Sequence, residues 1–485
     1  MTEKKEISDT ISIDHESLTK TSPKQEKFVY SEAEKRVKRK IDRVFLPLLF
    51  MILFTQFVDK SALNGAGVLG IMEDTHITKE QFGWLGALFY VGYIAFQIPN
   101  NFLIQRLPTS KYMGIILLLW GVSFTCTFLA KDFGQLAFLR VLLGFFEAVT
   151  YPCIFLLISR LYRRHEQIMY ISYMFVANAS AICLGGLIGY GIGNMHGLHG
   201  LSGWQYTYII WGSITFVEGI IFFIFLPDKA KSRWFSLTPE EERIVDERSL
   251  DNGVAENTKF NKAHIWEALR DPKYYCYIFI SALCNLQNGS LTVFSSQLIV
   301  EFGFTNLQAI LLNIPNGLCG CLLIVITTFL SKRYNEICYI GMGMSVVSFL
   351  GVLLLDVIPS GPVKLLGIYL AYGCTPVYIL VQTSINNNVK GYSKKVFYTS
   401  SQLVFYCIGN FVGPLLTFSR EAPRYITAMS IYSAANVVIF ILYGVIRWKI
   451  VRDNRKKQSL DGVSEKSDVV NDLTDVEDSH FVYRP

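Results

Sequence analysis

Long apolar runs alternate with short polar connectors along most of this chain. Leu46 to Phe57, Tyr112 to Ala130 and Ile209 to Leu226 are examples. A helix that crosses a bilayer needs about 20 mainly apolar residues. On that measure the pattern predicts twelve spans, over residues 44–66, 82–104, 112–130, 133–159, 167–194, 205–226, 273–299, 307–330, 337–356, 363–388, 396–418 and 426–447. None of it resembles the alternating ten-residue segments of a membrane β-barrel. A polar stretch, 227–272, separates two six-helix halves, 41–226 and 273–450. Within it Thr238 precedes Pro239 and three glutamates, a helix-start signal that predicts a short amphipathic helix. The expected fold class is an all-α membrane protein with twelve transmembrane helices in two halves, its substrate site at the midplane between them.

Composition agrees and adds an orientation. Hydrophobic residues make up 51% of the chain and charged residues 17%, below the roughly 25% of a soluble domain. With the N-terminus cytosolic, the outer loops hold only Lys79, Lys131, Lys364, Arg420 and Arg424, and 38 of the 45 Lys/Arg fall on the cytosolic side. That asymmetry is the positive-inside pattern, and miscounting one span would scramble it. Residues 1–40 carry ten Lys/Arg and eight Asp/Glu and no apolar core of a signal peptide. They read as a disordered cytosolic tail, and so does the acidic segment 451–485. The ten cysteines fall within the spans as packing residues, and the seven histidines lie in loops, tails or span ends. No metal site, disulfide framework, cofactor or nucleic-acid partner is expected. No HExxH or GxSxG motif suggests an enzyme.

Four charges interrupt the spans: Asp59 and Lys60 in the first, Arg140 and Glu147 in the fourth. Each costs roughly 2.5 kcal/mol or more near a bilayer centre, so both signs in only two spans point to use. Arg140 and Glu147 are two helical turns apart on one face, about 10 Å along the axis. That is too far for an i,i+4 ion pair, and it suits a ligand lying between them. The guanidinium offers a planar fork for a carboxylate. Glu147, among Gly144, Phe145, Phe146 and Ala148, is placed to take and release a proton. Asp59 and Lys60 point about 100° apart. The competing reading is that all four form static ion pairs between the first and fourth spans. Glu218, in the sixth span, reads as a packing or snorkelling residue.

The second half has no charge in the equivalent spans. It offers Asn285, Gln287 and Asn288 in the seventh, Tyr378 and Gln382 in the tenth, and Gln402 and Asn410 in the eleventh. The division suggests that the first half handles charge and protons while the second reads substrate shape through neutral hydrogen bonds. Gly185, Gly186, Gly189 and Gly193 form a small-residue stripe that lets a neighbouring helix approach. Pro152, Pro315, Pro376 and Pro414 should bend their helices.

Several motifs are familiar as an ordered set. They are Phe57-Val-Asp-Lys60 with Asn64, Gln97-Ile-Pro99, Arg140-Val-Leu-Leu-Gly144-Phe-Phe-Glu147 with Pro152, Gly203-Trp204, Leu312-Asn-Ile-Pro315, Tyr406-Cys-Ile-Gly-Asn410 and Ala422-Pro423-Arg-Tyr425. Over residues 40–450 the chain resembles the anion:cation symporter family of the major facilitator superfamily, in its fungal allantoate permease branch. The resemblance implies import of small organic anions with protons, in a fungal plasma membrane. It also implies Asp59 and Glu147 as proton carriers and Arg140 and Lys60 as anion contacts. Many members have arginine where this chain has Lys60, and lysine cannot make the bidentate fork.

Together these readings predict a monomeric, proton-driven symporter of a small carboxylate or sulfonate, with both termini cytosolic and lipid and protons as partners. Arg140, Lys60, Gln287, Asn288, Tyr378, Gln382 and Asn410 are the candidate substrate contacts. The alternatives are a facilitator or carrier of a cationic or zwitterionic vitamin, and a transporter-like nutrient sensor.

Overall fold

The computed structural model describes residues 31–229, 231–251, 261–359, 361–458, 473–478 and 481–485. Each of the twelve predicted stretches is helical. The first half comprises α1 (Glu32–Ala66), the one-turn α2 (Ile71–Asp74), α3 (Lys79–Arg106), α4 (Thr109–Cys126), α5 (Phe133–Glu147), α6 (Thr150–Leu161), α7 (Arg164–Gly193) and α8 (Gly203–Phe225). The linker forms α9 (Pro239–Asp251) and α10 (Lys262–Arg270). The second half comprises α11 (Pro272–Glu301), α12 (Asn306–Tyr334), α13 (Cys338–Val357), α14 (Lys364–Ala371), α15 (Cys374–Asn388), α16 (Tyr392–Leu415) and α17 (Ile426–Gln458). α9 starts where the sequence signal put it, with Thr238 capping the backbone of Glu241.

Two of the spans are broken, each for the same reason. α5 ends and α6 begins around Ala148, and α14 gives way to α15 at Tyr372. A proline clashes with the carbonyl four residues before it. Ala148 stands four residues before Pro152, and Tyr372 four before Pro376. The fourth and tenth spans, equivalent members of the two halves, therefore break at equivalent places. Pro315 and Pro414 lie inside continuous helices.

Large side chains fill each half: Trp120, Trp204 and Tyr208 in the first, Tyr277, Tyr398 and Tyr443 in the second, all fully buried. Others, such as Phe138, Val217, Val325, Phe329 and Ile441, face outward and are exposed, the inverse of a soluble surface and the expected lipid face. Gly144 brings α5 against α3, since a Cβ there would stand 1.9 Å from the Phe89 carbonyl oxygen. The glycine stripe of α7 serves the junction of the halves. Gly186, Gly189 and Gly193 face Ile314, Ile310 and Leu307 of α12, while Gly185 faces Val58 of α1.

The end of the bundle carrying α9 and α10 is here the linker end, and the opposite end the loop end. At the linker end each half holds its own linker helix. Arg248 of α9 meets Glu34 at 3.4 Å and Glu166 at 2.7 Å, while Glu267 of α10 meets Lys394 at 2.7 Å.

Both expected tails need correction. The expectation for residues 1–30 lies outside the described residues, but 32–40 are already helical in α1, with Ser31 as N-cap. α17 continues to Gln458, and residues 473–478 and 481–485 pack against the second half. Asp475 is buried and lies 2.6 Å from Lys394. Lys457 donates to the backbone carbonyls of Asp475 and Asp478, and the Pro485 carbonyl accepts from the Ile337 amide. The acids that suggested a solvated tail are neutralised by lysines scattered over α11, α16, α17 and the turn before α16. Residues 459–472 and 479–480 lie outside the described residues.

Candidate functional site

α1 and α5 bring the four intramembrane charges to one place. Asp59, Lys60, Arg140 and Glu147 line a single cavity between the halves, together with Tyr90, Trp120 and, from the second half, Thr292 and Val293. Its volume is about 30 Å³, room for two or three waters on a scale of roughly 10–15 Å³ per water. An organic ion needs the halves to part further.

The charges converge without neutralising one another. Among the described residues, no acid–base pair within 4.0 Å joins the four; each has a neutral companion instead. Gln56 donates its Nε2 to Glu147 Oε1 at 3.1 Å. Thr215 of α8 donates its hydroxyl to Asp59 Oδ2 at 3.0 Å, and Asp59 Oδ1 has no hydrogen-bond partner. Arg140 donates to the Tyr208 hydroxyl. Lys60 reaches across the midplane to the Tyr406 hydroxyl, 3.2 Å away, with the Tyr90 ring centre at 5.7 Å. This disposes of the static ion-pair reading. A buried pair already matched would leave nothing to attract a ligand; here neither cation has an acid as its partner.

The candidates from the second half divide. Tyr378 packs on Tyr406, ring centres 5.2 Å apart, and Gln382 follows one turn later on α15, half-buried. Asn288 is half-buried on α11, one turn from the cavity-lining Thr292. Gln287 and Asn410 are corrected. Gln287 turns into the interior of the second half, donating to the Ala371 carbonyl at 2.6 Å and accepting from Ser348 and Asn436. Asn410 is fully buried between Asn285, which accepts from it, and Asn288, which donates to it. Both amides are occupied in holding helices together.

Several groups at the site were not singled out beforehand. Gln56 could have been, because it stands on the same α1 face as Asp59 and Lys60. Tyr90 and Tyr208 carried no such signal, being two among 26 tyrosines, and Tyr406 stood only as part of the Tyr406-Cys-Ile-Gly-Asn410 motif, with no role at the site. Glu218 does not snorkel: it is 1% exposed, and neither carboxylate oxygen has a hydrogen-bond partner.

The loop end is closed by contacts across the halves. Asn64 donates to Ser295 at 2.7 Å and accepts from the Ser296 amide at 2.9 Å. Lys79 pairs with Glu301 at 2.6 Å, and both bond the Tyr425 hydroxyl. Glu80 accepts from Ser419.

Comparison with known proteins bears on this arrangement. The profile of the Major Facilitator Superfamily matches residues 49–414. An uncharacterized transporter of Schizosaccharomyces pombe is 30% identical, covering 99% of this chain and 97% of its own. The allantoate permease of Saccharomyces cerevisiae is 28% identical over 94% of this chain and 87% of its own. The high-affinity nicotinic acid transporter of the same yeast is 28% identical over 88% and 80%. Among solved structures, an inward-facing, occupied bacterial homologue of the human lysosomal transporter Spinster superposes with a TM-score of 0.64 at 15% identity, covering 84% of this chain and 97% of its own.

Proposed function

The chain belongs to the major facilitator superfamily, a multi-pass membrane transporter and not an enzyme, and from that premise we propose that it imports a small organic anion together with protons. The observation that carries this reading is the set of two cations and two acids facing one midplane cavity with no ion pair between them. Arg140 and Lys60 are the anion contacts. Asp59 and Glu147 are the proton carriers. The allantoate permease and nicotinic acid transporter among its relatives support a carboxylate as the substrate class.

The contacts support a transport cycle of the following form. With the loop end sealed, the Lys60–Tyr406 bond occupies the place an anion would take on Lys60. An entering carboxylate displaces the Tyr406 hydroxyl and gives Lys60 and Arg140 a charged partner. For the site to open on the other side, the Asn64 and Lys79 contacts must release. Protonation of Asp59 and Glu147 offsets the anion's charge, so that the loaded site reorients with little net charge exposed to a low-dielectric interior, where unpaired charge is costly. The linker end faces the cytosol in this reading, which the distribution of Lys and Arg supports. The membrane is the plasma membrane.

A second reading rests on the rings of Tyr90, Tyr378 and Tyr406, which would suit a cationic or heteroaromatic vitamin. Lys60 already occupies that aromatic set, which disfavours a cation there. The test is uptake of labelled allantoate, nicotinate and thiamine by cells expressing the chain. Anion uptake that rises in acid medium and collapses with a protonophore supports symport. Thiamine uptake with no anion uptake supports the second reading, and anion uptake indifferent to the protonophore removes the coupling.

A further inference from the structure

One intramembrane acid takes no part in the cycle just described. Glu218 lies on α8 one turn beyond Thr215, the residue whose hydroxyl holds Asp59. α8 runs antiparallel to α1, so one turn beyond Thr215 on α8 is level with Thr55 and Gln56, one turn before Asp59 on α1. Glu218 is thus nearer the linker end than Asp59, on the face of α8 turned to α1. It is 1% exposed, neither of its oxygens has a hydrogen-bond partner, and no cation approaches within 4.0 Å among the described residues. The Thr55 hydroxyl is its nearest donor, just outside hydrogen-bond geometry.

The surroundings leave Asp59 as its titrating neighbour. α1 brings Asp59, whose Oδ1 is likewise unpartnered. α5 contributes Arg140 and Glu147, which belong to the cavity on the far side of Asp59. α4 meets α8 at Gly219 with Leu117 and Leu118, which do not titrate. The part of α7 over 176–193 carries no acid, lysine, arginine or histidine. An acid with no hydrogen bond and no cation is a poor packing residue, because a leucine or methionine of similar size avoids the cost of its unmet polar atoms. Its chemical asset is the proton.

We propose that Glu218 is a second proton-holding carboxyl of the Asp59 site, an inference that rests on the proton-coupled reading above. The O–H bond of protonated Asp59 breaks as one forms on the Glu218 carboxylate, and the negative charge moves the opposite way. The step needs no other reactant. It carries the proton one turn from the substrate cavity toward the linker end, and the hydroxyls of Thr55 and Thr215 stand along the way. Glu218 is a positioning residue for the proton and does not touch the substrate.

The experiment is pH-resolved infrared spectroscopy of the purified full-length chain in lipid nanodiscs, without substrate. The wild type should show a protonated-carboxyl C=O band that is lost in Glu218→Gln and displaced in Asp59→Asn. Because no substrate is used, this readout stands whether or not anion uptake is found. In cells, Glu218→Gln, neutral and isosteric, should shift the pH profile of uptake by about one unit and lower accumulation roughly tenfold while leaving KM near wild type. A wild-type spectrum that superimposes on that of Glu218→Gln at every pH overturns the proposal. So does a band unmoved by Asp59→Asn, or a Glu218→Gln pH profile identical to wild type.

Discussion

Lys60 of the first half donates a hydrogen bond to the Tyr406 hydroxyl of the second, 3.2 Å away at the midplane. It is a side-chain bond that joins the halves at the level of the four charges, and in the proposed cycle an entering anion displaces the tyrosine from Lys60. Removing that hydroxyl with Tyr406→Phe should free Lys60 without disturbing the ring contact to Tyr378. The expected result is tighter apparent anion binding, by about 1 kcal/mol or roughly fivefold, with slower turnover because the midplane latch is lost. Equilibrium binding of labelled nicotinate or allantoate to the purified protein measures it. Unchanged affinity would mean that the anion does not compete with Tyr406.

The seal at the loop end makes a separate prediction. Lys79 and Glu301 are partly shielded and also share the Tyr425 hydroxyl. Hydrogen bonds to charged groups contribute about 1.5–3 kcal/mol, so Glu301→Gln should move the balance of conformations toward an open loop end by about tenfold. A cysteine introduced by Ser296→Cys, beneath the seal, should then react faster with a membrane-impermeant thiol reagent, as followed by peptide mass spectrometry. The double exchange Lys79→Glu with Glu301→Lys should return the rate toward that of the parent. Equal rates in all three proteins would show that the pair does not gate.

Gly144 is required by geometry. A methyl group there would overlap the Phe89 carbonyl, and α5 would have to move away from α3, taking Arg140 and Glu147 with it. Gly144→Ala should cost about 3 kcal/mol, the upper part of the usual overpacking range, and abolish uptake. Thermal unfolding in detergent reads the first effect and transport the second.

The C-terminal segment should contribute to stability. Lys394 and Asp475 are both buried and 2.6 Å apart. Removing Lys394 leaves buried Asp475 with only the more distant Lys273, 3.8 Å away, as a cation partner among the described residues and costs about 3 kcal/mol. Lys394→Met and deletion of residues 473–485 should each lower the unfolding temperature of the full-length protein. A deletion that unfolds like the parent would show that the segment does not dock.

The sequence made some of this legible and hid the rest for identifiable reasons. The four charges of α1 and α5 stood out because ionised groups are rare in apolar spans, and they do share one cavity. The same expectation of a bend was held for four prolines: the helices break four residues before Pro152 and Pro376, at Ala148 and Tyr372, whereas Pro315 and Pro414 lie inside continuous helices. Gln287 was misjudged because an amide within a span bonds a helix as readily as a ligand, and only its neighbours Ala371, Ser348 and Asn436 decide which. Tyr406 belonged to a recognised motif, but its role was hidden because it lies in facing Lys60, 346 residues away. The acidic C-terminus suggested a solvated tail because its partners Lys273, Lys390, Lys394 and Lys457 are scattered along the sequence and meet only in the fold.

In the proposed cycle, Glu147 is the residue at which anion binding and proton coupling can be separated. The measurement is uptake of labelled nicotinate or allantoate into proteoliposomes with an imposed pH gradient, acid outside, in the parent and in Glu147→Gln. The parent should concentrate the anion and lose it on adding a protonophore, whereas Glu147→Gln should exchange labelled for unlabelled anion at a near-normal rate without concentrating it. Concentration retained in Glu147→Gln, or in the parent after the gradient is dissipated, would contradict proton coupling at this site.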